Sequence, residues 1–398
     1  MASPPLLTKP SLFRRRSAAR ADGAGEGGPA RRPRLYALDG MRLLAALSVV
    51  CFHWAAYVDV SGVWEGVTPR EALPRLNQVA AYGWLGVELF FVISGFVICM
   101  SCWGKRPGEF FVSRVVRLYP GYWVAVLLTG SVLLAFGEYA RTFAARGLHV
   151  DTVVANLTML QEPLGMRHVD GVYWTLWVET RFYLLFALVV ATGLTYRRVV
   201  AFCGIWTILA VLAPQGGIPL LSTFAMPDEA PFFIAGVGMF LMHRFGRDPL
   251  LWGIVGLSWI LALSRLRHLR EVYVEVLGHG LSWYAMAAGV TAAFALVLGA
   301  ALGLFDRVRW KGLTVAGALT YPLYLIHQEV GWTVIHVLRL HRVGVAAALG
   351  TALVLMLLTA WTVHRVVERP VSALLKNALD RSMATLRRAS DEPAALRS

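Results

Sequence analysis

The feature that most constrains the fold is a series of apolar stretches, each about as long as a bilayer is thick. About 20 apolar residues cross the hydrocarbon core as one helix. The stretches lie at residues 37–58, 82–102, 118–137, 173–193, 199–213, 229–243, 249–264, 281–304, 314–338 and 344–365. A composition of 57% hydrophobic and 16% charged residues excludes an ordinary soluble domain. The sequence therefore predicts an all-α polytopic protein with about ten transmembrane helices.

Basic residues flank these spans unevenly. Most Lys and Arg residues lie on the side that holds the N-terminus, which is typical of the cytoplasmic side. Both termini are therefore predicted to be cytoplasmic, and the net charge of +14 indicates membrane topology and no nucleic-acid binding. The exceptions are Arg265, Arg267 and Arg270, which fall in a predicted outer loop and indicate a missed or re-entrant segment there.

Three regions are predicted along the chain. Residues 1–33, rich in Arg, Ala, Gly and Pro, are expected to form a disordered basic cytoplasmic tail. Residues 34–372 form the transmembrane domain, and residues 373–398 a cytoplasmic tail that is partly an amphipathic helix. We expect a multi-pass protein of the cell membrane, with the lipid bilayer as its first partner.

The first span carries two ionisable residues, Arg42 and His53, eleven positions apart. Eleven helical residues return to within about 20° of the starting direction and rise about 16 Å, so both side chains share one face. Ionisable groups within a bilayer are costly and usually line a cavity or pathway. The alternative is that Arg42 snorkels to the interface and that His53 is a packing residue with satisfied hydrogen bonds.

A carboxylate in the fourth span is predicted to meet this histidine. Glu179 lies about two turns into the span, which enters from the opposite side to Arg42. A histidine beside a carboxylate in a dry cavity is suited to act as a general base. A structural ion pair, or a proton relay of the kind that transporters use, remains open.

A basic patch follows the second span. Arg114 and Arg117 are three residues apart and share a helix face, a geometry suited to phosphate groups. Positive-inside anchoring is the alternative for this patch. Further candidates whose role stays open between structure and function are Glu88, Arg181, His327 and Glu329, whereas Glu368 and Arg369 are predicted to be a surface pair.

The sequence predicts no bound metal or cofactor. All four cysteines lie in or beside apolar spans, so a disulfide framework is not expected. Cys99 and Cys102 form a CxxC, but no second pair or histidine cluster completes a zinc site.

Six motifs, in order between about residues 34 and 372, resemble the acyltransferase-3 family of integral membrane O-acyltransferases. They are LDGMRLLAALSVVCFH, GVELFFVISGFVI, FFVSRVVRLYPGYW, YWTLWVETRFYLLF, LTYPLYLIHQ and VVERP. The resemblance implies an acyl-CoA donor on the cytoplasmic side, used as a co-substrate, and a hydroxyl acceptor, usually on a sugar.

The resemblance also implies roles for individual residues. His53 becomes the catalytic base, with Glu179 as the carboxylate of the site. Donor binding is assigned to Arg42, Arg114 and Arg117, and contact with substrate to Tyr173, Trp174 and His327, with Tyr173 or Trp174 as an oxyanion donor. The chain departs from the family after the glutamate, where Thr180 and Arg181 replace the usual acidic residue and Gln.

Several alternatives stay open. The second and third motifs look most like actinomycete members that acylate macrolides and other glycosylated antibiotics, whereas similarly sized members O-acetylate cell-envelope polysaccharide. A proton-coupled transporter is the alternative from another class. Direct transfer and an acyl-histidine intermediate are both compatible with the sequence, which indicates neither acyl chain length nor oligomeric state.

Overall fold

The regular structure of the protein is helical. The computed structural model describes residues 35–58, 63–136 and 148–391, and within them there is no strand. The α-helices are α1 (Tyr36–Ala55), α2 (Pro69–Ala72), α3 (Pro74–Ala80), α4 (Leu85–Cys102), α5 (Pro107–Phe136), α6 (Val150–Leu157), α7 (Trp174–Ala191), α8 (Tyr196–Leu212), α9 (Pro219–Ala225), α10 (Ala230–Phe245), α11 (Pro249–Leu277), α12 (Trp283–Ala301), α13 (Gly312–Ile326), α14 (Glu329–Leu340), α15 (Val345–Thr362) and α16 (Arg369–Asp391). The all-α prediction is confirmed, and the predicted tail at residues 1–33 lies outside the described residues.

Nine helical segments in the described part of the chain are long and apolar enough to cross a membrane. They are Tyr36–Ala55, Pro74–Cys102, Pro107–Phe136, Gly171–Ala191, Tyr196–Gln215, Pro219–Phe245, Pro249–Leu277, Trp283–Ala301 and Val345–Thr385. Each corresponds in position to one of the ten predicted spans. The polytopic membrane architecture is therefore confirmed, while the side on which the termini lie stays a prediction.

Helix α11 differs from its predicted span. It has 29 residues and ends at Leu277, and the residue that caps it, Gly278, has a φ of 68°, a left-handed conformation that suits glycine. Most of the expected outer loop is therefore the last part of this helix, and it carries Arg265, Arg267 and Arg270. The Arg265 guanidinium donates a 3.3 Å hydrogen bond to the carbonyl oxygen of Ala210 in α8.

The ninth predicted span, at residues 314–338, is two helices and not one. Helix α13 ends at Ile326, α14 begins at Glu329, and His327 and Gln328 form the break between them. The break falls where the polar residues His327, Gln328 and Glu329 interrupt the apolar pattern of this stretch.

The two most closely packed helices, α4 and α10, meet through glycines. They run parallel, since Phe91 contacts Phe233 near their N-terminal ends and Trp103 contacts Phe245 near their C-terminal ends. A Cβ on Gly236 would overlap the backbone of α4 at Val92, and a Cβ on Gly95 the backbone of α10 at Phe233. Small residues let helices approach closely in membranes. This contact fixes α4, which forms one wall of the cavity described next.

Candidate active site

A cavity of about 290 Å³ lies between five helices, α1, α4, α5, α7 and α13. Its α7 wall is formed by Thr175, Glu179 and Tyr183, which are four residues apart and so share one helix face. Leu176 of α7 also lines the cavity, and the other walls are formed by Arg42, Val87, Phe90, Phe91, Ser94, Val97, Ile98, Arg114, Arg117, Leu118, Gly317, Thr320, Tyr321 and Tyr324. Much of this lining is apolar, and its polar groups lie at distinct levels.

One end of the cavity is basic. Arg114 donates hydrogen bonds to Ser101 Oγ at 3.2 Å and to Ser113 Oγ at 3.3 Å, and its guanidinium lies 5.7 Å from the centre of the Tyr183 ring. Arg117, nearly one turn further along α5, is exposed. Neither arginine forms an ion pair within 4 Å among the described residues. Their guanidinium groups therefore keep donors that an anionic ligand can use.

A carboxylate lies in the interior of the cavity. Glu179 Oε1 accepts a 3.2 Å hydrogen bond from Ser94 Oγ of the facing helix α4. Arg42 of α1 lines the same cavity. The structure thus brings together four of the predicted site residues, Arg42, Arg114, Arg117 and Glu179.

The predicted contact between His53 and Glu179 is not made, which corrects the sequence-based pairing. His53 Nδ1 instead lies 3.0 Å from Nε2 of His327, and 3.1 Å from the Val49 carbonyl oxygen. The reason is the helix break, which places His327 at the C-terminal end of α13 beside the last turn of α1. His53 does not line the cavity.

The hydrogen bonds assign the tautomers of this histidine pair. His327 Nδ1 lies 2.7 Å from the Tyr324 carbonyl oxygen, so this nitrogen must carry the proton that it donates. Neutral His327 then accepts at Nε2, and His53 donates from Nδ1. The Nε2 atom of His53 is left with its lone pair, and it has no hydrogen bond within the described residues. A partly exposed histidine in this tautomer is prepared to accept a proton.

Two tryptophans fix the histidine pair through the backbone. Trp54 Nε1 donates a 2.8 Å hydrogen bond to the carbonyl oxygen of His327. Trp332 Nε1 donates a 2.9 Å hydrogen bond to the carbonyl oxygen of His53. Helix α1 therefore supplies an indole to the backbone of His327, and α14 supplies one to the backbone of His53. The carbonyl of His327, which lies at the helix break, is thus hydrogen-bonded by a residue of another helix.

Asp170 holds the other side of the break, and the sequence did not single it out. Its fully buried carboxylate accepts hydrogen bonds of 3.2 Å from the amides of Val172 and Glu329, so it caps the 3-10 turn Gly171–Tyr173 that leads into α7 and fixes the start of α14. Burial and the negative charge of the Glu329 carboxyl raise the pKa of Asp170 well above its usual range. The sequence signal that could have identified Asp170 is an acidic residue just before an apolar span.

Tyr173 and Trp174 lie outside the cavity lining. The fully buried Tyr173 ring packs edge-on against Tyr122, with 5.1 Å between the ring centres. The Trp174 ring packs edge-on against Phe91, with 6.4 Å between the ring centres. At their level the next two residues of α7, Thr175 and Leu176, face the cavity. The predicted contacts of Tyr173 and Trp174 with substrate stay a prediction.

Glu368 is not the surface residue that the sequence predicted. It ends a π-helical segment, Val363–Glu368, and its carboxylate accepts a 2.7 Å hydrogen bond from His364 Nδ1. The side chain is only 14% exposed and lies against Gly121 of α5, one turn from Arg117. Its negative charge therefore lies beside the basic end of the cavity.

Comparisons with known proteins identify the family. The acyltransferase-3 model, described as an acyltransferase domain, matches residues 35–365. The chain is 28% identical over 165 residues to acyltransferase MdmB of Streptomyces mycarofaciens, a match that covers only 40% of each chain. It is 26% identical over 339 residues to nodulation protein 10 of Rhizobium leguminosarum bv. viciae, covering 75% of this chain and 83% of the relative. No solved structure matches. Because the family model covers most of its length, the chain belongs to the acyltransferase-3 family of membrane acyltransferases.

Proposed function

We propose that the protein transfers a short acyl group from acyl-CoA to a hydroxyl of a sugar or of a glycosylated small molecule. The observation that carries the proposal is a cavity with arginines at one end and a histidine pair just beyond the other. This arrangement suits a long donor with phosphates at one end and a reactive thioester at the other.

The basic end suits the phosphates of the donor. Guanidinium groups bind phosphate oxygens through two parallel hydrogen bonds, which favours Arg114 and Arg117 for this role. The pantetheine arm then lies along the cavity, where Thr175 and Tyr183 on one face of α7 are about 12 Å apart along the helix axis. Arg42 and Glu179 offer a donor and an acceptor of hydrogen bonds to the amide groups of this arm.

The proton transfers of the reaction are assigned to the histidine pair. The acceptor hydroxyl attacks the thioester carbon while His53 Nε2 takes its proton. The tetrahedral intermediate then expels the CoA thiolate, which the His53 imidazolium protonates. His327 and the Val49 carbonyl oxygen both accept from His53 Nδ1 and so hold the tautomer that this step requires, the role that the sequence had given to Glu179.

A proton-coupled transporter is the second candidate, and the helix break between α13 and α14 is the observation that favours it. Transporters often form their sites from discontinuous helices. The reaction itself separates the two candidates, because a transferase consumes thioester and a transporter moves solute.

The direct test is an assay on purified protein in nanodiscs. We expect acceptor-dependent release of free CoA from acetyl-, propionyl- or isovaleryl-CoA when glycosylated small molecules or cell-envelope polysaccharide are supplied, with a matching increase in acceptor mass. If no thioester is consumed with any acceptor, while a proton gradient drives solute flux in proteoliposomes, the transporter function is supported instead.

Substituting the arginines should weaken donor binding. A hydrogen bond to a charged group contributes about 1.5–3 kcal/mol, so Arg114→Gln or Arg117→Gln should raise the KM for acyl-CoA by roughly 10- to 150-fold. Arg267→Gln removes an exposed arginine of α11 and serves as the control. Equal KM values in all three variants would remove the cavity arginines from donor binding.

A further inference from the structure

The hydroxyl groups of the cavity differ in where their protons point. Thr320 donates to the carbonyl oxygen of Ala316, Tyr321 to that of Leu118, and Ser94 to the Glu179 carboxylate. These protons are therefore committed to the protein. Two tyrosines of the lining remain, Tyr183 beside Arg114 and Tyr324 at the opposite end.

The Tyr324 hydroxyl donates to another hydroxyl and not to the backbone. Thr175 Oγ1 donates a 2.9 Å hydrogen bond to the carbonyl oxygen of Val172, so in its 3.0 Å contact with Tyr324 Oη the threonine accepts. A neutral hydroxyl acceptor is weaker than a developing oxyanion. The proton of Tyr324 is therefore available to a stronger acceptor that enters this end of the cavity.

Tyr324 also connects the cavity to the histidine pair. Its ring lies 5.6 Å from the ring of His327, and its carbonyl oxygen accepts the proton of His327 Nδ1. The Phe90 ring packs edge-on against it at 5.6 Å, which fixes its position. A thioester that reaches this end of the cavity would therefore lie beside the Tyr324 hydroxyl, with the histidine pair packed against the same ring.

We infer that the Tyr324 hydroxyl is a catalytic residue that donates a hydrogen bond to the oxyanion formed from the thioester carbonyl. As the acceptor oxygen bonds to the carbonyl carbon, the π electrons of the C=O bond move onto its oxygen, and His53 Nε2 takes the hydroxyl proton. Tyr324 turns from Thr175 to this oxygen and keeps its own proton. When the C–S bond breaks, the C=O bond re-forms and the hydroxyl returns to Thr175. This inference rests on the proposed acyl transfer.

Kinetic comparison of Tyr324→Phe with the wild type tests the inference, because the substitution keeps the ring and removes only the hydroxyl. Loss of one oxyanion donor typically lowers kcat about 10²- to 10³-fold. We expect such a loss with little change in the KM for acyl-CoA, and equal affinity of both proteins for a CoA thioether that lacks the carbonyl oxygen. Tyr196→Phe, which removes a hydroxyl that is bonded to Asp248 at 2.8 Å, is the matched control.

Thr175→Val separates a catalytic role of the Tyr324 hydroxyl from a structural role of its hydrogen bond to Thr175. This variant removes the same hydrogen bond between the two side chains but leaves the Tyr324 hydroxyl in place. A smaller loss of kcat in Thr175→Val than in Tyr324→Phe supports the inference. Equal losses in the two variants, or wild-type kcat in Tyr324→Phe, overturn the inference but not the proposed acyl transfer. A wild-type protein that consumes no thioester overturns the proposed function and this inference with it.

Discussion

Replacing His53 with Ala should lower the turnover of acyl-CoA by about 10²- to 10⁴-fold, the usual contribution of a positioned general base. The substitution removes the Nε2 lone pair that takes the proton of the acceptor, while the arginines at the basic end of the cavity stay in place. We therefore expect the loss in kcat and not in the KM for donor. Measuring both parameters on protein of unchanged thermal stability checks this, with the exposed His268→Ala of α11 as control.

His327 should act only through His53. His327→Ala leaves the Val49 carbonyl oxygen as the remaining acceptor of His53 Nδ1, so kcat should fall and the pH dependence of kcat should shift because one of the two groups that hold this tautomer is lost. In a His53→Ala background, the same change should cause no further loss, since residues that act as a unit are not additive. A further loss in the double variant would assign His327 a separate role, and full activity of His53→Ala would exclude His53 as the base.

Enlarging Gly236 should prevent correct folding. In Gly236→Val the new side chain overlaps the α4 backbone at Val92 and Phe96, so α4 and α10 must separate. Overpacking a tight core typically costs about 1–3 kcal/mol, and here the obstacle is backbone, which cannot move away as a side chain can. We expect little monodisperse protein in detergent, or a strongly lowered Tm, measured by size-exclusion chromatography and thermal unfolding.

Gly253→Val is the control for this substitution. Gly253 also lies in a membrane-length helix, α11, but a Cβ there would meet no atom within 4 Å. The two variants share the same change in helix propensity and differ in packing. If both behave alike, the close approach of α4 and α10 is not what stabilises the bundle.

The positions of the spans could be predicted from the sequence because bilayer thickness sets the length of an apolar helix. The spacing of Arg42 and His53 likewise follows from helix geometry, and both do lie on α1. Whether each of the two side chains reaches the cavity depends on its position along the helix. Arg42 lines the cavity, whereas His53 lies beyond its end.

The partner of His53 was not predicted, because it depends on a helix break that the prediction of one continuous span missed, although a polar run at residues 327–329 marks its position. The stretch that contains His327 is apolar on both sides, and the groups that satisfy the broken backbone come from distant parts of the chain. Trp54 and Asp170 supply them, from 273 residues and 159 residues away from their respective partners. Glu179 was placed correctly on α7, but its partner, Ser94, comes from another helix.

The two indole bonds, from Trp54 to the His327 carbonyl and from Trp332 to the His53 carbonyl, have a consequence for repeated turnover. Both attach to backbone atoms, so neither depends on which ring nitrogen carries a proton at a given moment. When His53 gains and loses its proton in each cycle, the attraction between the two rings changes, but the helices that carry them stay joined at two points. The rings can thus be reset for the next acceptor without rebuilding the alignment of the helices.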